Sequence, residues 1–279
     1  MKKSIKISLA AVALVIAIFF IGMPIVNSQL LKNETEIFLD EISKPKQISF
    51  NSTNFSMLPP IVKKYLKKNV TNTSNPPRYC QYSITGKVRR DDNSGWQDFS
   101  SENYYSATTS EFLKIKETQN FMFLWTKTLE RYFNQKASTK SKFVSSIPTY
   151  TFAGIKLQRS YLVLYLLESV FCPTVLFPDM NIQWSGIDGT KALATIWNQD
   201  LNGTATFHFN KNGEVVKIVT EDMYVRGELD YEREKFTMHF TNYQNVGKFN
   251  IPTFCEYQWN LAGGDITVGR FQISEIMYE

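Results

Sequence analysis

Cysteine and histidine are scarce in this chain, and the few that occur are far apart. Among 279 residues there are three cysteines and two histidines: Cys80, Cys172, Cys255, His208 and His239. The sequence contains neither C-x-x-C nor H-E-x-x-H, two spacings that are common in metal sites. An odd number of cysteines cannot all pair within one chain, and small buried thiols are common in protein cores. The sequence therefore predicts three free thiols and neither a bound metal nor a cofactor.

The motifs of hydrolases are also missing. G-x-S-x-G does not occur, and Ser145 and Ser146 have no evident base near them in the sequence. His208 alternates with Phe207 and Phe209, so it points to solvent if the two phenylalanines face the core. We therefore predict no catalytic residue and rank a hydrolase lowest among the function classes, because no pair of nucleophile and base is visible.

Excess positive charge is small once the N-terminus is set aside. The chain has 31 basic and 26 acidic residues, a formal net charge of +5. Lys2, Lys3 and Lys6 precede an apolar run, and without them 28 basic residues face 26 acidic ones, a net charge of +2. No basic stripe with interleaved aromatic side chains is present, so nucleic acid is not a predicted partner.

One long apolar run is present, at residues 7–26, which carry no charged side chain. Twenty helical residues at about 1.5 Å each reach roughly 30 Å, the hydrocarbon thickness of a bilayer. Lysines before the run favour a cytoplasmic N-terminus, and IGMPIVNSQ at its end lacks a typical small-residue cleavage site. We predict a membrane anchor at 1–28, with the following domain outside the cytoplasm. A cleaved signal peptide with an atypical site is the alternative.

The rest of the chain divides into a linker and one β-rich domain. Residues 29–56 are predicted to form a stalk, helical at first and then polar. From Tyr79 onward about ten or eleven segments alternate or run apolar, and residues 142–154 are assigned to a strand or a loop. Consecutive strands without intervening helices indicate an antiparallel sheet, and a sheet of this size tends to curl. Residues 57–279 are therefore predicted to form one mainly β domain of the α+β class, a curled antiparallel half-barrel.

A single apolar helix interrupts the strands. Tyr161 to Cys172 is apolar on nearly every side and polar only at Glu168 and Ser169. Helices with this pattern are buried, and this one is too short to span a membrane. We predict that the sheet wraps around it.

Glu168 is the one ionisable residue of that helix, and a buried carboxyl must be paired, hydrogen-bonded or protonated. In one interpretation it faces a cavity and contacts the polar end of a ligand, with Tyr161, Tyr165, Trp125 and Trp184 as further ligand contacts. In the other it bonds to a strand arginine or to backbone N–H groups and only fixes the helix. Both stay open at the level of sequence.

Several landmarks occur together in a recognisable order: LPPIVKKYL at 58–66, YLLESVFCPTVLFP at 165–178, FHFNKNGEV at 207–215 and GKFNIP at 247–252. They resemble a prokaryotic family of single-span membrane-anchored proteins whose domain has no assigned function. The layout also resembles the lipoprotein-carrier half-barrel. The resemblance implies a domain that binds or carries a lipid or another apolar molecule. An envelope module that binds another protein is the alternative, with no protein partner indicated.

Overall fold

The computed structural model describes residues 11, 14, 18–44, 52–70, 76–121, 124–178, 181–226 and 231–279. Within these residues the helices are α1 (Met23–Ile42), α2 (Ser52–Met57), α3 (Pro60–Asn69) and α4 (Ile155–Glu168), with a π-helical turn at Ile18–Gly22 and 3-10 turns at Ser169–Phe171 and Pro173–Leu176. The strands are β1 (Tyr79–Val88), β2 (Gln97–Ser106), β3 (Phe112–Phe121), β4 (Leu124–Phe133), β5 (Lys136–Phe143), β6 (Ile147–Ala153), β7 (Ile182–Asp188), β8 (Lys191–Asn198), β9 (Leu201–Phe209), β10 (Val215–Arg226), β11 (Tyr231–Val246), β12 (Phe249–Leu261) and β13 (Gly264–Tyr278).

All thirteen described strands belong to one antiparallel sheet that curls into a half-barrel. The spatial order is β6-β5-β4-β3-β2-β1-β13-β12-β11-β10-β9-β8-β7, so neighbours follow chain order except where β1 lies beside β13. At this junction Gly86 of β1 is opposite Phe271, and a Cβ on Gly86 would lie 2.0 Å from the carbonyl oxygen of Arg270. The residue without a side chain is therefore needed where the first and last strands meet.

The predicted number of strands was too low, because two turns lack the usual sequence signals. The β4–β5 turn is Asn134–Gln135 and the β5–β6 turn contains Val144 and Ser145, all four with positive φ. Glycine is the residue that most readily adopts positive φ, and neither turn contains one. The region at 142–154, assigned to a single strand or loop, therefore contains the end of β5, the turn and all of β6.

The predicted central helix is present as α4, in the concave side of the sheet. It begins at Ile155, after Gly154 with φ of 122°, and every residue from Ser160 to Glu168 is buried. The chain enters α4 from edge strand β6 and leaves it through the two 3-10 turns toward the opposite edge strand, β7. The helix therefore bridges the two edges of the half-barrel, and its apolar surface forms a single core with the strands.

Helix α1 lies on the convex face of the same sheet. Phe38 and Ile42 are buried there against Leu113 of β3, and the Phe38 ring lies 5.8 Å from that of Phe133. Among the described residues, no helix is both long and apolar enough to cross a membrane. Much of the predicted anchor lies outside the described residues.

Candidate functional site

A buried polar network surrounds Glu168 at the C-terminal end of α4. Its Oε1 accepts hydrogen bonds from the Lys114 ammonium at 2.5 Å and from the Tyr257 hydroxyl at 2.6 Å. Its Oε2 accepts from the hydroxyl of Tyr82 at 2.9 Å and from that of Tyr105. Glu168 is 1 % exposed and Lys114 is 3 % exposed. Each carboxylate oxygen thus has two donors, and the ion pair is almost completely buried.

The pleat of the strands aims these donors at α4. On β3, Phe112 and Lys114 face the concave side, while Leu113 between them points to the convex side and packs under α1. On β1, Tyr82 lies between Cys80 and Ile84 in the same inward row. Successive side chains of a strand point to opposite faces, so the register places one donor from each of four strands around the helix end.

The charges of the network follow from burial and from mutual contact. Burial would raise the pKa of Glu168, but the Lys114 ammonium and the hydroxyls of Tyr105 and Tyr257 outweigh it and hold that pKa below its ordinary value. Burial lowers the pKa of Lys114, opposed by the attraction of Glu168. Burial and the neighbouring carboxylate raise the pKa values of Tyr82, Tyr105 and Tyr257 well above 10.0. The geometry, with four donors on two oxygens, therefore corresponds to an ionised carboxylate, an ammonium and three neutral phenols.

Next to this network lies a cavity of about 400 Å³. It is lined by α4 and by strands β1, β2, β3, β10, β12 and β13, and its apolar wall includes Ile84, Phe99, Leu164, Tyr257, Trp259 and Phe271. Lys114 and Tyr257 belong both to this wall and to the Glu168 network. The wall also contains Arg89, Arg90 and Lys116, and no acidic side chain occurs among the described residues that line it. Arg90, with 88 % of its side chain exposed, marks the opening.

Two predicted ligand contacts, Tyr161 and Tyr165, lie on α4 but hold the helix to the sheet. The Tyr161 hydroxyl is 2.6 Å from the Thr139 hydroxyl. The Tyr165 hydroxyl donates to the Ser106 carbonyl oxygen at 2.7 Å, and its ring stacks on Tyr105 with centroids 5.8 Å apart. Tyr165 is thus linked to the Glu168 network through Tyr105.

The structure does not bring the two predicted tryptophans together with Glu168. Trp125 on β4 donates from Nε1 to the Ser145 hydroxyl at 3.1 Å. Trp184 on β7 donates from Nε1 to the Leu176 carbonyl oxygen at 3.0 Å and packs edge-on against Phe207. Among the described residues that line the cavity, none of the five predicted ligand residues occurs. Glu168 reaches the cavity only through Lys114 and Tyr257.

The described residues also bear on metal binding and on thiol chemistry. They contain no group of three or more His, Cys, Asp or Glu side chains that could hold a metal ion. The thiols of Cys80, Cys172 and Cys255 are free and buried. Burial raises the pKa of Cys80 and that of Cys255 well above 9.0, which leaves both as unreactive thiols.

Residues 49–271 match the model of DUF6544, a family of unknown function. The chain belongs to this family. No curated protein matches it. Among solved structures it is similar to a LolA superfamily protein from Nitrosomonas europaea, at 10% identity and a TM-score of 0.40, over 78% of this chain and 92% of that one. It is also similar to a putative outer membrane lipoprotein-sorting protein domain from Vibrio parahaemolyticus, at 7% identity and a TM-score of 0.41, over 72% and 85%.

Membership of DUF6544 agrees with the resemblance to a family without an assigned function; the single membrane span stays a prediction.

Sequence reasoning singled out Glu168 but missed its four partners. For Tyr82 and Tyr257 a signal was present, because each alternates with a cysteine and another apolar residue in YCQYSI and FCEYQW. Lys114 gave none, since a lysine between Leu113 and Ile115 is typical of the solvent-facing side of a strand.

Proposed function

We propose that this protein binds a single amphiphilic molecule, with an apolar chain and an acidic head, in the cavity beside Lys114. The observation that carries the proposal is the cavity wall. The cavity has a volume of about 400 Å³, which lies within the range of small-molecule sites. Such sites are mostly apolar with a few placed polar groups. Aromatic and aliphatic side chains from the sheet and from α4 supply the apolar part.

The acidic head is inferred from the charges of the wall. Four basic side chains and no acidic one line the cavity among the described residues. Each of the four also pairs with an acidic residue outside the wall: Lys114 with Glu168, Lys116 with Glu130, Arg89 with Asp92 and Arg90 with Asp91. An ammonium has three donors, and Lys114 directs one of them to Glu168. Its ammonium can therefore also hold an anion from the cavity side. Arg89 and Arg90 lie at the opening, where an acidic head would share them with Asp92 and Asp91.

We also propose, as predicted from the sequence, that residues 7–26 anchor the protein in a membrane with the β domain outside the cytoplasm. This setting supports an amphiphilic ligand, because a bilayer is a reservoir of such molecules. The proposed activity is binding or carrying, without a chemical reaction.

The test is native mass spectrometry of the full chain in detergent, with lipid extraction and titration of a dansyl-labelled fatty acid. Val225→Trp places a large ring in the cavity wall, whereas Val219→Trp is a matched control on the same strand that is not part of the wall. We expect bound lipid and dansyl fluorescence with the wild type and with Val219→Trp, and loss of both with Val225→Trp. A wild-type protein that holds no lipid and no probe would instead favour the protein-binding module.

A further inference from the structure

The ends of the antiparallel strands form two rims on opposite sides of the sheet. The mouth rim carries the β1–β2, β5–β6 and β12–β13 connections, and the far rim carries the β7–β8, β9–β10 and β11–β12 connections. A ten-residue strand such as β1 spans about 33 Å at 3.3 Å per residue. The two rims are therefore separated by about the thickness of a bilayer's hydrocarbon core.

Helix α1 runs from the mouth rim to the far rim. Near its start, Asn27 accepts a hydrogen bond at 2.8 Å from Lys142, close to the end of β5 that lies at the mouth rim. Just after its end, the Ser43 carbonyl oxygen accepts one at 3.2 Å from Arg78, which precedes β1 at the far rim. The apolar run at residues 7–26 thus leads into the protein at the mouth rim.

Several apolar side chains in the π-helical turn and at the start of α1 are exposed. Ile21, Ile25, Val26 and Leu30 are between 53% and 64% exposed. Ile147, at the β5–β6 connection of the same rim, is 44% exposed. Contiguous apolar patches on a monomer mark interaction sites for proteins or membranes. Their continuity with an uncharged stretch of bilayer length favours the membrane.

The cavity opens at this rim as well. Val88, Arg89 and Arg90 of its wall lie at the end of β1, where the β1–β2 connection begins. In that connection Trp96 packs between the guanidinium groups of Arg89 and Arg270, at 4.8 and 5.1 Å. Tryptophan is enriched at the interface between membrane and water, where its ring lies at the level of the headgroups.

We propose that the mouth rim rests on the lipid bilayer, so that the cavity faces the membrane and takes its ligand directly from it. The exposed start of α1 and Ile147 contact the lipid, and Trp96 lies at the headgroups. The source of the ligand rests on the proposed function. The orientation of the half-barrel rests on the proposed anchor, on α1 and on the rim, and not on the proposed ligand.

The orientation can be measured with single labels, because the three native thiols are buried and only an added surface cysteine reacts. Asn93→Cys lies in the β1–β2 connection at the mouth rim, and Lys211→Cys lies in the β9–β10 connection at the far rim; both positions are exposed. Each full-length variant is labelled with bimane and reconstituted into phosphatidylcholine–phosphatidylglycerol vesicles that contain doxyl-labelled lipid. We expect loss of most of the fluorescence at position 93 and no loss at position 211.

A second pair of variants tests the contact itself. Ile147→Glu puts a charge into the proposed lipid contact, and Ile187→Glu puts one on an isoleucine at the far rim that is 54% exposed. The first should reduce quenching at position 93 and the second should leave it unchanged. Equal quenching at both labelled positions, stronger quenching at position 211, or no quenching at either would overturn the proposed orientation.

The two proposals fail in different ways. If the mouth rim is quenched but no lipid or dansyl-labelled fatty acid binds, the orientation stands and the binding function falls. If the probe binds and the mouth rim is not quenched, the cavity holds a ligand that it does not take from the bilayer on which the protein sits, and the orientation falls.

Discussion

Glu168 accepts from four donors on two oxygens, and this makes it a structural centre as well as a neighbour of the cavity. Removing two charges from water is costly, and a buried ion pair is often no better than two apolar side chains of the same size. Breaking such a pair by removing one partner is different, because it leaves a charge buried alone. The two effects separate in a double-mutant cycle.

We predict that Glu168→Gln and Lys114→Met each lower the free energy of unfolding by about 3–5 kcal/mol, because each leaves the other charge without its partner. The double variant should lose less than the sum of the two single variants. Denaturant unfolding of the three variants and the wild type gives the coupling energy. Additive losses would mean that the two charges do not stabilise each other. This would contradict the ion pair in which Lys114 Nζ lies 2.5 Å from Glu168 Oε1.

The same pair predicts a dependence on pH. The folded pKa of Glu168 is below its ordinary value, so its contribution to stability is present above the unfolded pKa of about 4.3 and is lost as pH falls through the lower folded pKa. The double variant, which combines Glu168→Gln with Lys114→Met, lacks this titration. Its unfolding free energy should therefore fall less steeply in acid than that of the wild type, when both are measured across this range. Parallel curves would show that other carboxylates cause the acid sensitivity.

At the level of single residues, the sequence could identify the acid but not its counter-ion. Glu168 stood out because it interrupts an apolar helix. Lys114 is buried on the concave face of β3, which α4 covers, while Leu113 beside it is buried on the convex face, which α1 covers. A prediction from alternating polar and apolar residues assumes that one face of an antiparallel sheet is exposed to solvent. A helix that covers this face is a tertiary fact, and the local pattern EFLKIKE does not contain it.

Among the elements, those with a strong local pattern were predictable and those fixed by a turn were not. Helix α4 followed from its uniform apolarity, although its start at Ile155 and the 3-10 turns after Glu168 did not. At the β5–β6 hairpin, residues 142–154 were assigned to one strand or loop and β5 was not predicted as a separate strand, because Val144 and Ser145 take positive φ without a glycine. Such a turn is imposed by the pairing of the strands on either side, and β5 pairs with β4 along its whole length.

Helix α1 is held to the sheet by a small cluster, and this suggests a test. Phe38 is fully buried and contacts Leu113 and Phe133, whereas its neighbour Ile37 is 60% exposed. Phe38→Ala should remove most of the apolar contact and release the helix, at a cost of up to about 3–5 kcal/mol. Hydrogen exchange by mass spectrometry should show faster exchange in α1, while the strands of the sheet and α4 stay protected.

Ile37→Ala is the matched control for that experiment. A surface substitution of this kind usually changes stability by less than about 0.5 kcal/mol, and exchange in α1 should stay as in the wild type. If Phe38→Ala accelerated exchange equally throughout the domain, α1 would be part of the same cooperative unit as the half-barrel. The convex-face cluster would then contribute to global stability.

For the whole molecule, the order of the strands matters more than their number. The last strand of the chain, β13, is the seventh of thirteen in the sheet and lies between β1 and β12. The first and last strands of the domain therefore meet in the middle of the sheet, and the two edges are joined by α4. Contacts between residues so far apart in sequence slow folding, because the loop must close before they form.

The position of β13 predicts that the domain cannot fold before its last strand is made. Deletion of residues 264–279 would leave β1 and β12 with unpaired edges in the centre of the sheet and would remove Phe271 and Ile273 from the core. An edge strand is more dispensable than a central one, so the double substitution of Ile147 and Pro148 by serine, at the exposed start of β6, is the control. We expect the deletion to abolish cooperative thermal unfolding, followed by circular dichroism, and the control to keep it. A truncated chain that still melts cooperatively would show that β1 and β12 can pair directly and close the half-barrel without β13.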